Sequence, residues 1–240
     1  MAGTTVTHDR WEPHAGAISA RLNALRAAVL GANDGIVSMA GIVVGVAGAT
    51  TEHQPVVIAG VAGLVAGAVS MSLGEYVSVS SQRDGERHLV AKEADELARW
   101  PREELAELAA LYEAKGLSPQ TAATVAAELT ERDALRAHLD AELGLDPDEV
   151  VSPVVAAVSS AASFLLGGLL PVLAILLAPT AWRVPVTSAV VLLALALTGW
   201  LGARVGGGSG ARAALRVTIG GAAGLALTYG IGCALGTTIG

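Results

Sequence analysis

The sequence predicts an all-α integral membrane protein with five transmembrane helices and a three-helix cytoplasmic insert between spans two and three. Three observations carry that prediction. Hydrophobic side chains make up 52% of the 240 residues and charged ones 15%, whereas soluble domains are about one quarter charged, so lipid is the solvent for much of the chain. Charge is also confined: apart from Asp34, none lies between Arg26 and Glu52, and none occurs in 54–74, 150–182, 184–203 or 217–240. Each window holds about 20 residues or more, enough to cross roughly 30 Å of hydrocarbon at 1.5 Å per residue. The third observation is the polar block 82–149, with seventeen Asp or Glu against eight Lys or Arg, a net of −9.

The elements follow in order, grouped as a polar N-terminal segment (1–23), spans one and two (24–81), the insert (82–149) and spans three to five (150–240). The first segment lacks the apolar run of a signal peptide, so none is expected. Span one is predicted from about Leu25 to Ala49. A short loop and Pro55 then turn the chain into span two, which runs to about Ser81. Gly41, Gly45 and Gly48 share one face of span one, and Gly60, Gly63, Gly67 and Gly74 one face of span two. Small residues at that spacing let helices approach closely, either within one chain or at a dimer seam.

Within the insert, a first helix runs from about Gln82 to Ala98 and is broken by Trp100-Pro101. Pro101 suits the first turn of a second helix, whose stripe Leu105, Leu108 and Tyr112 faces a core. Gly116 ends it, and Ser118-Pro119 reads as an N-cap followed by Pro at the first position. A third helix is expected to bury Val125, Leu129, Leu135, Leu139 and Leu143 and to stop at Gly144 and Asp146-Pro147. Spans three to five contain no internal acid, base or amide side chain, so any chemistry within the membrane falls to spans one and two.

Lys and Arg set the orientation. Arg10, Arg21 and Arg26 precede span one, eight lie in the insert, and Arg204, Arg212 and Arg216 lie between spans four and five; Arg183 alone is on the other side. The positive-inside rule makes the N-terminus, the insert and the last loop cytoplasmic and the C-terminus external. The lone Cys233 excludes a disulfide framework and a cysteine-rich metal cluster. A formal charge of −7 argues against a nucleic-acid partner, and two lysines against thirteen arginines fit a GC-rich bacterial genome.

Asp34 is the sharpest candidate, about 12 Å along span one from Arg26. A carboxylate at such depth costs roughly 2.5–3.5 kcal/mol unless paired, hydrated or protonated. It reads either as an ion or proton site or as an acid satisfied by Asn33 and Ser38. Met71, about 18 Å into span two from Arg83, is either a packing residue or the soft half of a mixed site that suits a first-row transition metal. Glu75, one turn nearer the cytoplasm, is a relay or a boundary acid. In the insert, Glu93 and Glu96 are three apart, as are Glu104 and Glu107, while His138 and Glu142 are four apart. Each pair points to one side of its helix. Carboxylates from several helices with a histidine are how helical bundles hold Fe or Mn; a solvated acidic face is the other reading.

The runs Leu30-Gly31-Ala32-Asn33-Asp34-Gly35-Ile36-Val37-Ser38, Ser70-Met71-Ser72-Leu73-Gly74-Glu75-Tyr76 and Ser81-Gln82-Arg83-Asp84 resemble the vacuolar iron transporter family, and the order of parts matches from about residue 22 onward. The resemblance implies a homodimeric exporter of Fe²⁺, and often Mn²⁺, from the cytosol, with protons as counter-ion. It sets Asp34 and Met71 on the family's intramembrane metal pathway and Glu93, Glu96, Glu104, Glu107 and Glu142 on the glutamates of its cytoplasmic metal-binding domain. There are departures. Ala27 and Gly63 stand where plant-type members carry acids, Glu75 stands where they have glycine, and His138 and Leu139 stand where they have methionines. An imidazole at 138 favours Fe²⁺, Mn²⁺ or Zn²⁺. The expectation is therefore a transporter and not an enzyme, set in a bacterial plasma membrane and needing no cofactor beyond the ions it carries. A membrane-anchored metal buffer or carboxylate-bridged iron oxidase is the alternative.

Overall fold

Apolar runs this long leave the backbone no partner but itself, and the chain resolves into helices and turns, with no strand among the described residues. The computed structural model describes residues 15–145, 152–205 and 207–239. In chain order the helices are α1 (Ala15–Ala49), α2 (His53–Arg99), α3 (Pro101–Ala114), α4 (Pro119–His138), a π-helical turn (Leu139–Leu143), α5 (Pro153–Leu177), α6 (Arg183–Val205) and α7 (Gly210–Ile239). Five stretches are long and apolar enough to cross a membrane: Ala28–Ala49, a part of α2, Pro153–Leu177, Arg183–Arg204 and Gly210–Gly236. α2 continues without a break from its apolar half into its charged half. Two compact units result, one of residues 1–73 and 157–240, the other of 74–156.

In the larger unit α1 is central. It supplies Ile36, Met39, Ala40, Val43 and Val44 to a core completed by residues such as Phe164, Val172, Ile175, Val191 and Leu195. Glycines make this possible. A side chain on Gly35 would strike the Phe164 carbonyl of α5, and one on Gly167 the Ala32 carbonyl of α1. On another face of α1 the same holds for Gly232 of α7 against the Gly45 carbonyl. The glycine faces of the first two spans thus serve packing within the chain: Gly41, Gly45 and Gly48 lie against α7, Gly60 and Gly63 against α1, and Gly67 against Phe164. Gly74 meets nothing within 4 Å.

Arg183, which entered the sequence argument only as a topological charge, is buried at the start of α6. Its guanidinium donates to the carbonyls of Thr51 and Glu52, each at 3.3 Å, and to those of Ala47 and Thr50. It therefore satisfies carbonyls that the end of α1 leaves without helical partners.

The smaller unit has a thin core of Leu108, Ala126 and Ala137, flanked by Leu105, Ala109, Tyr112 and Leu129. Its punctuation follows the sequence. Trp100 separates α2 from α3, Pro101 sits in the first turn, Gly116 takes φ +103°, and Ser118 Oγ accepts the Thr121 N–H at 3.3 Å. The third helix differs from expectation. It breaks at Asp133 (φ −167°, ψ 93°), and beyond Arg136 it buries Ala137, His138 and Leu139, with Leu135 and Leu143 only half-buried. Gly144 closes the π turn in the left-handed region at φ +61°. Asp146-Pro147 lies outside the described residues.

Candidate metal centre and the polar residues of the spans

Glu93 comes from α2, Glu104 from the first turn of α3, and His138 from the last residue of α4. All three are buried, His138 completely. His138 Nδ1 lies 2.9 Å from Glu93 Oε1 and 3.8 Å from Glu104 Oε2. One ligand atom from each residue falls within 4.8 Å of the others, the spacing of donors around a single ion. The nearer approach has the length of a hydrogen bond but not its alignment: Glu93 Oε1 and both imidazole nitrogens have no hydrogen-bond partner among the described residues. Buried polar atoms are ordinarily paired, and leaving them unpaired is unfavourable by roughly 1–3 kcal/mol each. An unpaired carboxylate oxygen of Glu93 and an unpaired nitrogen of His138, with a Glu104 carboxylate oxygen beside them, have the geometry of a cation site.

The electrostatics agree. Burial raises the Glu93 carboxyl above its ordinary range, and the Glu142 carboxylate pushes it further, against the opposing pull of His138. Burial also raises Glu104, followed by the charge of Glu107. A divalent cation would relieve both effects at once.

The remaining acids stand around this centre. Glu96 is half-buried and held by Lys92 Nζ at 2.9 Å. Glu107 and Glu142 are exposed, although Glu142 is near enough for its charge to act on both buried glutamates. The structure thus brings Glu93, Glu104 and His138 together and sets Glu96, Glu107 and Glu142 outside them.

In the span unit, Asp34 is exposed on α1, with Leu30, Val37 and Ile42 exposed on the same helix. The Ser38 hydroxyl donates to its Oδ1 at 3.3 Å. Asn33 points elsewhere: its Oδ1 accepts from the Thr198 hydroxyl of α6 at 3.3 Å. Ser38 also lines a cavity of about 400 Å³ between α1, α6 and α7, otherwise walled largely by apolar side chains. Met71 is half-buried, its methyl group beside Gly31, one helical turn before Asp34. Glu75 is half-buried on α2.

Two residues with structural consequence escaped the sequence argument. Arg183 gave no signal beyond its charge, because its partners are backbone carbonyls more than 130 positions away. Asp133 carried only the general preference of Asp for N-cap positions, and it lies inside a run of helix formers.

Comparison with known proteins follows from this geometry. A "Vacuolar iron transporter" of Acanthamoeba castellanii is 43% identical over 209 residues, covering 87% of this chain and 77% of that protein. "Vacuolar iron transporter homolog 1" of Oryza sativa subsp. japonica is 38% identical over 213 residues, 88% of this chain and 74% of the relative. "Vacuolar iron transporter homolog 5" of the same plant is 37% identical over 215 residues, 89% and 81% respectively. The family model described as "VIT family" matches residues 25–233, nearly the whole chain, and the chain belongs to that family.

Proposed function

We propose that this protein is a homodimeric transporter exporting Fe²⁺, Mn²⁺ or both from the cytosol in exchange for protons. The observation that carries the reading is the buried convergence of Glu93, Glu104 and His138 with unpaired donor atoms. Two carboxylates and an imidazole suit borderline divalent metals better than the all-oxygen sets of Mg²⁺ or Ca²⁺. The names of the relatives add iron.

In this reading the insert gathers the ion, with Glu96, Glu107 and Glu142 supplying a negative rim and outer ligands. Asp34 and Met71 carry it through the spans, and Glu75 relays ions or protons at the cytoplasmic end. The exposure of Asp34 on a helix that also exposes Leu30 and Val37 supports the dimer. A bare carboxylate facing lipid is unfavourable by roughly 2.5–3.5 kcal/mol, and a second copy over that face would cover both acids and let a cation sit between them. Proton coupling follows from competition, because Asp34 cannot hold metal and proton equally well at once. The insert faces the cytosol by the positive-inside rule, in a bacterial plasma membrane. No enzymatic step and no resident cofactor are needed.

The test is flux in proteoliposomes under an imposed pH gradient, with competing metals. Asp34→Asn is expected to abolish flux of Fe²⁺ and Mn²⁺ and leave metal binding by the insert intact. Undiminished flux in that variant would sink the mechanism. Oxygen consumption on adding Fe²⁺ without flux would favour the oxidase instead.

A further inference from the structure

His138 is where an unbroken helix would not put it. Ala122 and Ala126, both fully buried, define the core-facing side of α4. At about 100° per residue, His138, sixteen positions beyond Ala122 and twelve beyond Ala126, would stand about 160° and 120° around the axis from them, turned away from the core side. It is instead completely buried against Glu93 and Glu104.

The break at Asp133 makes the difference. Its backbone is extended, which any residue adopts, and its side-chain Oδ1 accepts the N–H of Arg136, three residues on, at 3.0 Å. That is the geometry of an N-cap: the helix stops, and a new one begins at Ala134 with one of its orphaned donors satisfied. The restarted segment carries Ala137, His138 and Leu139 inward, and the Gly144 cap ends it.

We propose that Asp133 is a positioning residue for metal capture: by capping the restart of the helix it turns His138 from the solvent side onto the Glu93–Glu104 pair. The proposal rests on His138 being a ligand. Asp133 itself is exposed, and its carboxylate is engaged by the Arg136 N–H. Its effect is on direction, and a cap of another chemistry should do the same work. Asn and Ser cap helices as Asp does. Pro at position 134 would impose the same restart without any capping side chain, since Pro favours the first helical position and forces its predecessor into extended backbone.

The experiment is Co²⁺ titration of the full chain in detergent, followed by the visible Co²⁺ spectrum and by competition with Mn²⁺. Supporting residues of metal sites typically contribute 10–100-fold in affinity. Asp133→Ala is expected to weaken binding by at least about tenfold and to give the spectrum of His138→Ala, while Asp133→Asn and Asp133→Ser bind within about threefold of the parent. The double variant Asp133→Ala/His138→Ala should bind no more weakly than His138→Ala alone, because both changes remove the same ligand. Asp133→Ala/Ala134→Pro should recover binding, and it decides the matter if Asp133→Ala folds poorly. Parental affinity in Asp133→Ala, additive losses in the double variant, or failure of Asn, Ser and Pro to rescue would each overturn the proposal. If His138→Ala itself binds Co²⁺ with parental affinity and spectrum, the metal reading of the site fails and not merely the role of Asp133.

Discussion

The two units of this chain handle acidic groups in opposite ways. In the span unit the core is so closely packed that glycine meets backbone at Gly35, Gly167 and Gly232, Arg183 is buried against backbone carbonyls, and Asp34 is left on the outside. In the insert the apolar core is small, centred on Leu108, Ala126 and Ala137, and the buried interior also holds two carboxylates and an imidazole. The first arrangement spends its packing on helix proximity and leaves its acid for something beyond the chain to cover. The second accepts the unfavourable burial of like charges, which a bound cation or protonation relieves. The proposed transport needs both: a site that holds an ion firmly enough to collect it, and an acid accessible enough to release it.

That contrast can be broken most severely at Gly167. Its missing side chain is what lets α5 reach the Ala32 carbonyl, so Gly167→Val is expected to destabilise the span unit by at least about 3 kcal/mol, the upper range for overpacking. Thermal unfolding in detergent measures this, and Co²⁺ binding by the insert should survive it in protein held below the transition. Loss of both together would mean the two units are not energetically separable.

A smaller effect is expected at Arg183. Replacing it with Met removes a charged donor from four carbonyls and should lower stability by about 2–3 kcal/mol, the range for hydrogen bonds to a charged group. Methionine keeps the apolar stem, so a drop of that size isolates the guanidinium; no change would show the loop carbonyls to be hydrated.

The smallest effect concerns pH. Glu93 and Glu104 have carboxyl groups raised by burial and by the neighbouring Glu142, Glu107 and Glu96, with His138 opposing. Groups raised on folding stabilise the fold fully below their ordinary value of 4.5, and that stabilisation is lost as pH rises through the folded values. Stability of the chelator-treated insert should therefore fall from about pH 4.5 toward neutrality. Saturating Mn²⁺ should reverse the slope, because the metal binds the deprotonated carboxylates. Chemical denaturation followed by far-UV circular dichroism at several pH values measures both.

Much of this was legible before any coordinates. Five charge-poor windows and one acidic block specify spans and insert because lipid tolerates so few alternatives. The breaks at Trp100-Pro101 and Ser118-Pro119 rest on local chemistry that sequence displays directly. The glycine faces were visible, but whether they met another part of the same chain or a second copy depended on contacts distant in sequence. In the insert, the pairs Glu93/Glu96, Glu104/Glu107 and His138/Glu142 offered six candidates without saying which of them would converge. Helical periodicity carried through Asp133 placed Leu139 inside correctly, but Leu135 and Leu143 are only half-buried, and it gave no sign of the break at Asp133, which rests on one capping hydrogen bond.

Arg183 also has a consequence for how the protein is made. Its acceptors, Ala47 and Thr50 through Glu52, leave the ribosome some 131–136 residues before it. At about 5–20 residues per second that gap is of the order of ten seconds. The turn between the first two spans therefore lacks this fastening until the fourth span is made, and the N-terminal third of the chain waits on a residue of the C-terminal third.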